Sequence, residues 1–150
     1  MMTVETMTSS HLAEILTSAY SPDIEHITDE EYERILDDRN GIALMWDGQL
    51  LAVCGIHWFW PGVGEAWIIQ HKRAQDARVT RLAVYRAGKT LMHMLIDKHE
   101  APLQRLQATV RTDWPDAIRM IEKLGFERES VMRRYSPDGT DAYMYAMVPE

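Results

Sequence analysis

Apolar residues recur at helical spacing in Leu12, Ile15, Leu16 and Ala19, behind the cap-competent Ser9 and Ser10 and ahead of Pro22. This pattern predicts a first helix from about Ser10 to Tyr20, preceded by a short strand over Thr3 to Thr8. Thr28 and Glu31 stand in capping-box spacing before Tyr32, Ile35 and Leu36, and Asn40 and Gly41 stop the run, which predicts a second short helix. The texture then changes. GIALMW and QLLAVCGIHWFW are two apolar runs around the dipeptide Asp47-Gly48, the signature of a tight hairpin. After the turn WPGVG, GEAWIIQ adds a further antiparallel strand with Gly64 and Glu65 at its start.

From about Asp76 to His99 there is no proline, and Val79, Leu82, Ala83, Leu91, Met94 and Leu95 fall on one helical face, so this is the longest helix. Pro102 punctuates, and LQRLQATV alternates as a strand. Asp113 and Pro115 open another helix, with an apolar stripe of Ala117, Met120, Ile121 and Leu124 and a stop at Gly125. FERESVMRRY and AYMYAMV flank SPDGTD as a closing hairpin. The order predicts an α/β (α+β) fold with a mixed central sheet and helices on both faces. With no repeat or linker, residues 1–150 read as one domain.

Composition narrows the function classes. The chain has 150 residues, 46% hydrophobic and 26% charged, and a formal charge of -7. Such a charge argues against a protein that coats nucleic acid or an anionic membrane with its whole surface, while leaving room for a local basic patch. Cys54 is the single cysteine, so no intramolecular disulfide forms and a reducing compartment is expected. The amino-terminal MMTVETMTSS lacks a basic, apolar leader, and no segment approaches the roughly 20 apolar residues of a membrane helix. The expectation is a soluble, cytoplasmic protein with no membrane partner.

The stretch DAIRMIEKLGFERE carries Ala117, Ile118, Glu122, Lys123, Leu124, Gly125 and Phe126 in one register. Together with the order of elements, it resembles the GNAT superfamily of acyl-CoA-dependent N-acyltransferases, whose motif near the carboxyl end reads like N-x-x-A-I-x-x-Y-E-K-L-G-F. The resemblance implies acetyl-CoA or another acyl-CoA as donor and an amine-bearing small molecule or protein as acceptor. Two departures qualify it. The motif tyrosine, often the acid that protonates the leaving thiolate, is Ile121 here, and the motif asparagine is Trp114. The family's pyrophosphate loop looks like Q/R-x-x-G-x-G/A, whereas QHKRAQDARVTRLAVYRAGKTLM offers only Gly88, with Ala83 and Arg86 at the other two positions. A helix that starts near Asp76 would put Gly88 in its middle and leave no glycine loop.

What this segment has instead is charge: Lys72, Arg73, Arg78, Arg81, Arg86 and Lys89 are opposed only by Asp76. It reads either as anion capture by side chains, arginine gripping phosphate with two donors, or as a solvated helix face. The long helix entered without glycines, with GEAWII before it, is also similar to the GNAT-like proteins of tailed bacteriophages over about Gly41 to Phe126. That resemblance implies phage or host proteins as partners and a place in the host cytoplasm or virion.

Amide formation from a thioester needs a base for the amine, a polarised carbonyl and an acid for the thiolate. Glu65 stands about where several GNAT enzymes place a glutamate base, and His57 on the neighbouring strand is a second candidate. Backbone amides of Trp67, Ile68 and Ile69 would meet the pantetheine and the carbonyl if the strand that carries them, the fourth, and the fifth strand splay as in the family. Tyr143, among the hairpin tyrosines Tyr135, Tyr143 and Tyr145, would replace the missing acid, while Lys72, Arg73 and Arg78 would hold the phosphates. No metal-ligand spacing appears, His93 and His99 being six residues apart. Two classes remain open at this point: an N-acyltransferase, and a virion, assembly or host-interaction protein that keeps only the fold.

Overall fold

The computed structural model describes residues 1–20, 28, 30, 34–35, 41–75 and 81–150. Its strands are β1 (Met2–Thr6), β2 (Ile42–Trp46), β3 (Gln49–Trp60), β4 (Val63–Gln70), β5 (Arg105–Arg111), β6 (Glu127–Met132) and β7 (Ala142–Met147). The helices are α1 (Ser9–Ser18), α2 (Arg81–Lys98) and α3 (Pro115–Lys123), with a 3-10 turn over Lys72–Gln75. One mixed sheet orders the strands β1-β2-β3-β4-β5-β7-β6, the pair β4 and β5 being parallel. The expected α/β architecture is therefore present. The second helix expected after Thr28 lies, for most of its length, outside the described residues. Contacts divide the chain into two compact units, Met1–Ile56 with Ile68–Leu95, and His57–Trp67 with Ile96–Glu150.

In the first unit, β2 and β3 close through Asp47 and Gly48, whose φ values of 49 and 78° suit the tight hairpin turn that the sequence signals. Ile42 to Met45 are all buried, as are Leu50 to Val53 and Ile56, so both faces of these strands are withdrawn from water. Leu12 and Ile15 of α1 and Leu91, Met92 and Leu95 of α2 belong to the same unit's core. Two sequence expectations shift. The α1 cap is Thr8, not Ser9 or Ser10: its hydroxyl accepts from the His11 amide, and the His11 ring accepts from the Thr8 amide. On α2 the buried stripe is Leu91, Met92 and Leu95, while Leu82 is 51% and Met94 38% exposed. Nine residues separate Leu82 from Leu91, about 180° around the helix, so the two cannot share a face.

In the second unit, β5, β7 and β6 form an antiparallel ladder in which Leu106 opposes Met147, Ala108 opposes Tyr145 and Val110 opposes Tyr143. Helix α3 begins with Pro115 at its first turn and no side-chain cap from Trp114. Asp113, expected to open it, is instead drawn to Arg111, which also grips Asp138 and Thr140 and so fastens the β6–β7 loop to the end of β5. The Arg111 hydrogen bond holds the Asp138 carboxyl well below the usual range. Gly125 ends α3 with φ 102°, as the Leu-Gly-Phe sequence predicts, and Ile121, Phe126 and Tyr145 are buried behind it.

Gly62 joins β3 to β4. Its amide donates to His99 Nε2 (2.9 Å), and its carbonyl accepts from the Gln104 (2.8 Å) and Arg105 (3.0 Å) amides. His99 in turn stacks on Trp58 with ring centroids 3.6 Å apart. At φ 82°, a Cβ on residue 62 would lie 2.5 Å from the Pro102 carbonyl oxygen, whereas one on Gly48 at φ 78° would meet nothing within 4 Å. Gly62→Ala should therefore cost about 3 kcal/mol, strain plus a backbone clash. Gly48→Ala should cost about 1 kcal/mol from backbone conformation alone. Urea denaturation midpoints at unchanged m-value measure both.

Candidate active site

The parallel ladder of β4 and β5 pairs Val63, Gly64 and Glu65 with Arg105, Leu106 and Gln107. It ends at Glu65 and Gln107, although β4 carries on to Gln70 and β5 to Arg111. Glu65 and Gln107 are neighbours on one face, and Gln107 Nε2 donates to Glu65 Oε1 at 3.4 Å. Gln107 Oε1 accepts from Arg105 Nε (3.0 Å), and Arg105 donates through Nη1 and Nη2 to both oxygens of Glu129 (3.0 and 2.7 Å). The candidate base is thus the end of a hydrogen-bonded line reaching from β4 to β6. That two-donor contact raises Arg105 and holds the Glu129 carboxyl below its ordinary value, so the pair stays charged.

Strand alternation puts Tyr143 and Tyr145 on the other face, since they oppose Val110 and Ala108 rather than Gln107. Arg128 Cζ lies 3.7 Å from the Tyr143 ring centroid. Its guanidinium also donates to the Tyr145 hydroxyl (3.2 Å from Nη2), which donates to Glu122 Oε1 (2.9 Å). Burial pushes the Tyr145 phenol up and the Glu122 bond adds to this, against Arg128, so Tyr145 keeps its proton. Ile121, one residue before Glu122, is buried. Among the three catalytic candidates, Glu65 and Tyr143 therefore stand on opposite faces of the second unit's sheet. His57 packs edge-on to Phe59 with centroids 5.3 Å apart, and Trp60 at the end of the same strand is 63% exposed.

The basic residues belong to the first unit. Beyond Ile68, which is exposed, and Ile69, which is buried, β4 runs into His71 and the turn carrying Lys72 and Arg73. His71 is nearly buried and fixes this turn: Nδ1 accepts from the Arg73 amide (3.0 Å) and its carbonyl from the Ala74 amide (2.9 Å). Its Nε2 faces Glu14 Oε2 of α1 at 3.6 Å, and the same oxygen lies 3.9 Å from Arg73 Nη1. Burial first, then Arg73, lowers the His71 pKa against the pull of Glu14, so the ring is neutral. Lys72, Arg81, Arg86 and Lys89 are exposed; Arg78 lies outside the described residues. Gly88 is inside α2.

Sequence reasoning reached Glu65 and the Lys72–Arg73 turn but missed Gln107, Arg105 and Glu129. The alternation in RLQATVR puts Arg105 and Gln107 on one side; only the parallel register places that side against Glu65. It also missed His71 and Glu14, which have no local pattern linking them. No described helix is long and apolar enough to cross a membrane.

No family model matches the sequence, and no curated relative matches it. Solved structures do. Ard1 from Thermoplasma volcanium is 18% identical with a TM-score of 0.77, covering 99% of this chain and 98% of that one. The ribosomal-protein-S18-alanine N-acetyltransferase from Escherichia coli is 18% identical with a TM-score of 0.70, covering 99% and 94%. A GNAT-family acetyltransferase from Streptococcus pneumoniae is 18% identical with a TM-score of 0.69, covering all of both chains. At these identities the likeness is one of fold, and the fold of this chain is that of the GNAT acetyltransferases.

Proposed function

We propose that the protein is an N-acyltransferase that uses acetyl-CoA or another acyl-CoA and transfers the acyl group to an amine on a small molecule or protein. The observation that carries this reading is the β4–β5 ladder ending at Glu65 and Gln107, with a tethered carboxylate on one face and tyrosines on the other. In the transfer, the amine nitrogen bonds to the thioester carbonyl carbon and the carbon–sulfur bond breaks. Glu65 takes the amine proton, and the thiolate receives one from Tyr143. Backbone amides of Trp67, Ile68 and Ile69 serve the pantetheine and the carbonyl oxygen.

The turn supports phosphate capture by side chains rather than by a glycine loop. His71 already occupies the Arg73 and Ala74 amides, so side chains would hold the phosphates instead: the exposed Lys72, then Arg73, which would turn from Glu14, and Arg78 as a third cation. In this reading the pyrophosphate loop is degenerate. Ile121, buried at the motif's acid position, supports a second reading, a protein that keeps the fold without turnover, for which the resemblance in sequence alone suggests phage or host proteins as partners.

Calorimetric titration with acetyl-CoA decides between them. The acyltransferase reading expects micromolar binding, weakened at least about tenfold, or roughly 1.4 kcal/mol, in Lys72→Glu/Arg73→Glu. Absence of heat at millimolar acetyl-CoA would overturn it in favour of the second. His71 adds a pH dependence. Its folded pKa is lowered, so its contribution to stability is present above the ordinary value of 6.5 and is lost as pH falls below 6.5 through the folded value. The melting temperature should accordingly drop between pH 7 and 5, and drop less in His71→Asn, whose amide oxygen accepts from the Arg73 amide at either pH.

A further inference from the structure

Each link in the line from Glu129 to Glu65 has its direction fixed by the chemistry of the donor. Arginine carries only donors, so Arg105 Nε must meet the Gln107 side chain at its carbonyl oxygen, Oε1. That choice turns the Gln107 amide group, Nε2, toward Glu65 Oε1. Rotated the other way, Gln107 would set an oxygen against the carboxylate. Arg105 is itself kept from swinging onto Glu65, because Glu129 holds Nη1 and Nη2 with both of its oxygens. Glu129 reaches Arg105 from a strand two places away. The register of β6 on β7 shifts between Arg128 and Ser130, and Glu129 is the extra residue at that bulge, a device that re-aims a side chain.

We propose that Gln107 is a positioning residue for Glu65, its amide locked by the Arg105–Glu129 pair. A bulge on the edge strand β6 thereby decides which carboxylate oxygen of Glu65 is presented to the acceptor. Glu65 Oε1 is engaged by Gln107, and Oε2 is left to take the amine proton. The proposal rests on the reading of Glu65 as the base. Preorganisation of this kind acts on kcat, since a carboxylate that rotates spends part of its time out of reach of the proton.

Two measurements test the chain and the chemistry apart. The first needs no turnover: the Gln107 side-chain amide resonances of the 15N-labelled protein are compared with those of Glu129→Gln, Arg105→Lys and Glu65→Gln. All three variants should shift the Nε2 protons and speed their exchange with water. An amide unmoved by Glu129→Gln would overturn the proposal, whatever the protein does with coenzyme. The second follows thiol release from acetyl-CoA with ethanolamine, spermidine and an alanine-led peptide as acceptors. Gln107→Leu and Glu129→Gln should lower kcat about tenfold to a hundredfold, the scale of a misplaced catalytic group, with the KM for acetyl-CoA little changed. Turnover lost in Glu65→Gln but intact in Gln107→Leu refutes the positioning role and keeps Glu65 as base. Turnover indifferent to Glu65→Gln, or absent with every amine, removes the reading of Glu65, and the amide resonances then decide the positioning chain by themselves.

Discussion

The parallel register between β4 and β5 hangs on Gly62. Its carbonyl takes two successive amides of the incoming chain, Gln104 and Arg105, and its own amide is held by His99. The approach is close enough that the Pro102 carbonyl oxygen occupies the place of a Cβ. β5 therefore starts opposite Val63, and two residues on Glu65 meets Gln107. A slip of one residue would turn every β5 side chain to the other face and set Ala108 or Leu106 beside Glu65. The hydrogen-bonded line to Glu129 exists only in the register that Gly62 enforces.

The same alternation separates two kinds of chemistry. Polar side chains that can hold or move a proton at a carboxylate, Glu65, Gln107 and Arg105, share one face with Glu129. The phenols of Tyr143 and Tyr145 share the other with Glu122 and Arg128. The two-residue period of a strand sets the carboxylate on one face and the phenols on the other. Tyr145 is bonded to Glu122 and Arg128, and the same Arg128 lies over the Tyr143 ring.

Much of the fold was legible because its signals are local. Asp47-Gly48 needs positive φ at both residues of a tight turn, and Gly125 needs it at a helix stop, so both could be read from neighbours in sequence. The apolar stripe of α2 was misplaced because a run rich in Leu, Ala and Met fits more than one face, and only packing selects Leu91, Met92 and Leu95 over Leu82. The candidate site was half legible. Glu65 could be chosen from its place at a strand start, and Lys72 and Arg73 from their charge. Gln107, 42 residues from Glu65, and Glu129, 24 from Arg105, depend on a crossover register and a bulge that no short window contains. His71 was hidden for a similar reason, since its partner Glu14 lies on α1.

The helix that first suggests the GNAT resemblance proves the least informative about chemistry. Gly125 is required by its positive φ and Phe126 by burial, so these two matching positions are ones that the fold itself needs. At the one position where the family often keeps a proton donor, this chain has an aliphatic side chain packed into the core. Glu122, the next residue, is tied to Tyr145 instead. A resemblance at Gly125 and Phe126 can therefore follow from packing and helix termination alone. The line from Glu65 through Gln107 and Arg105 to Glu129 owes nothing to that helix: it rests on the β4–β5 register and on the bulge in β6.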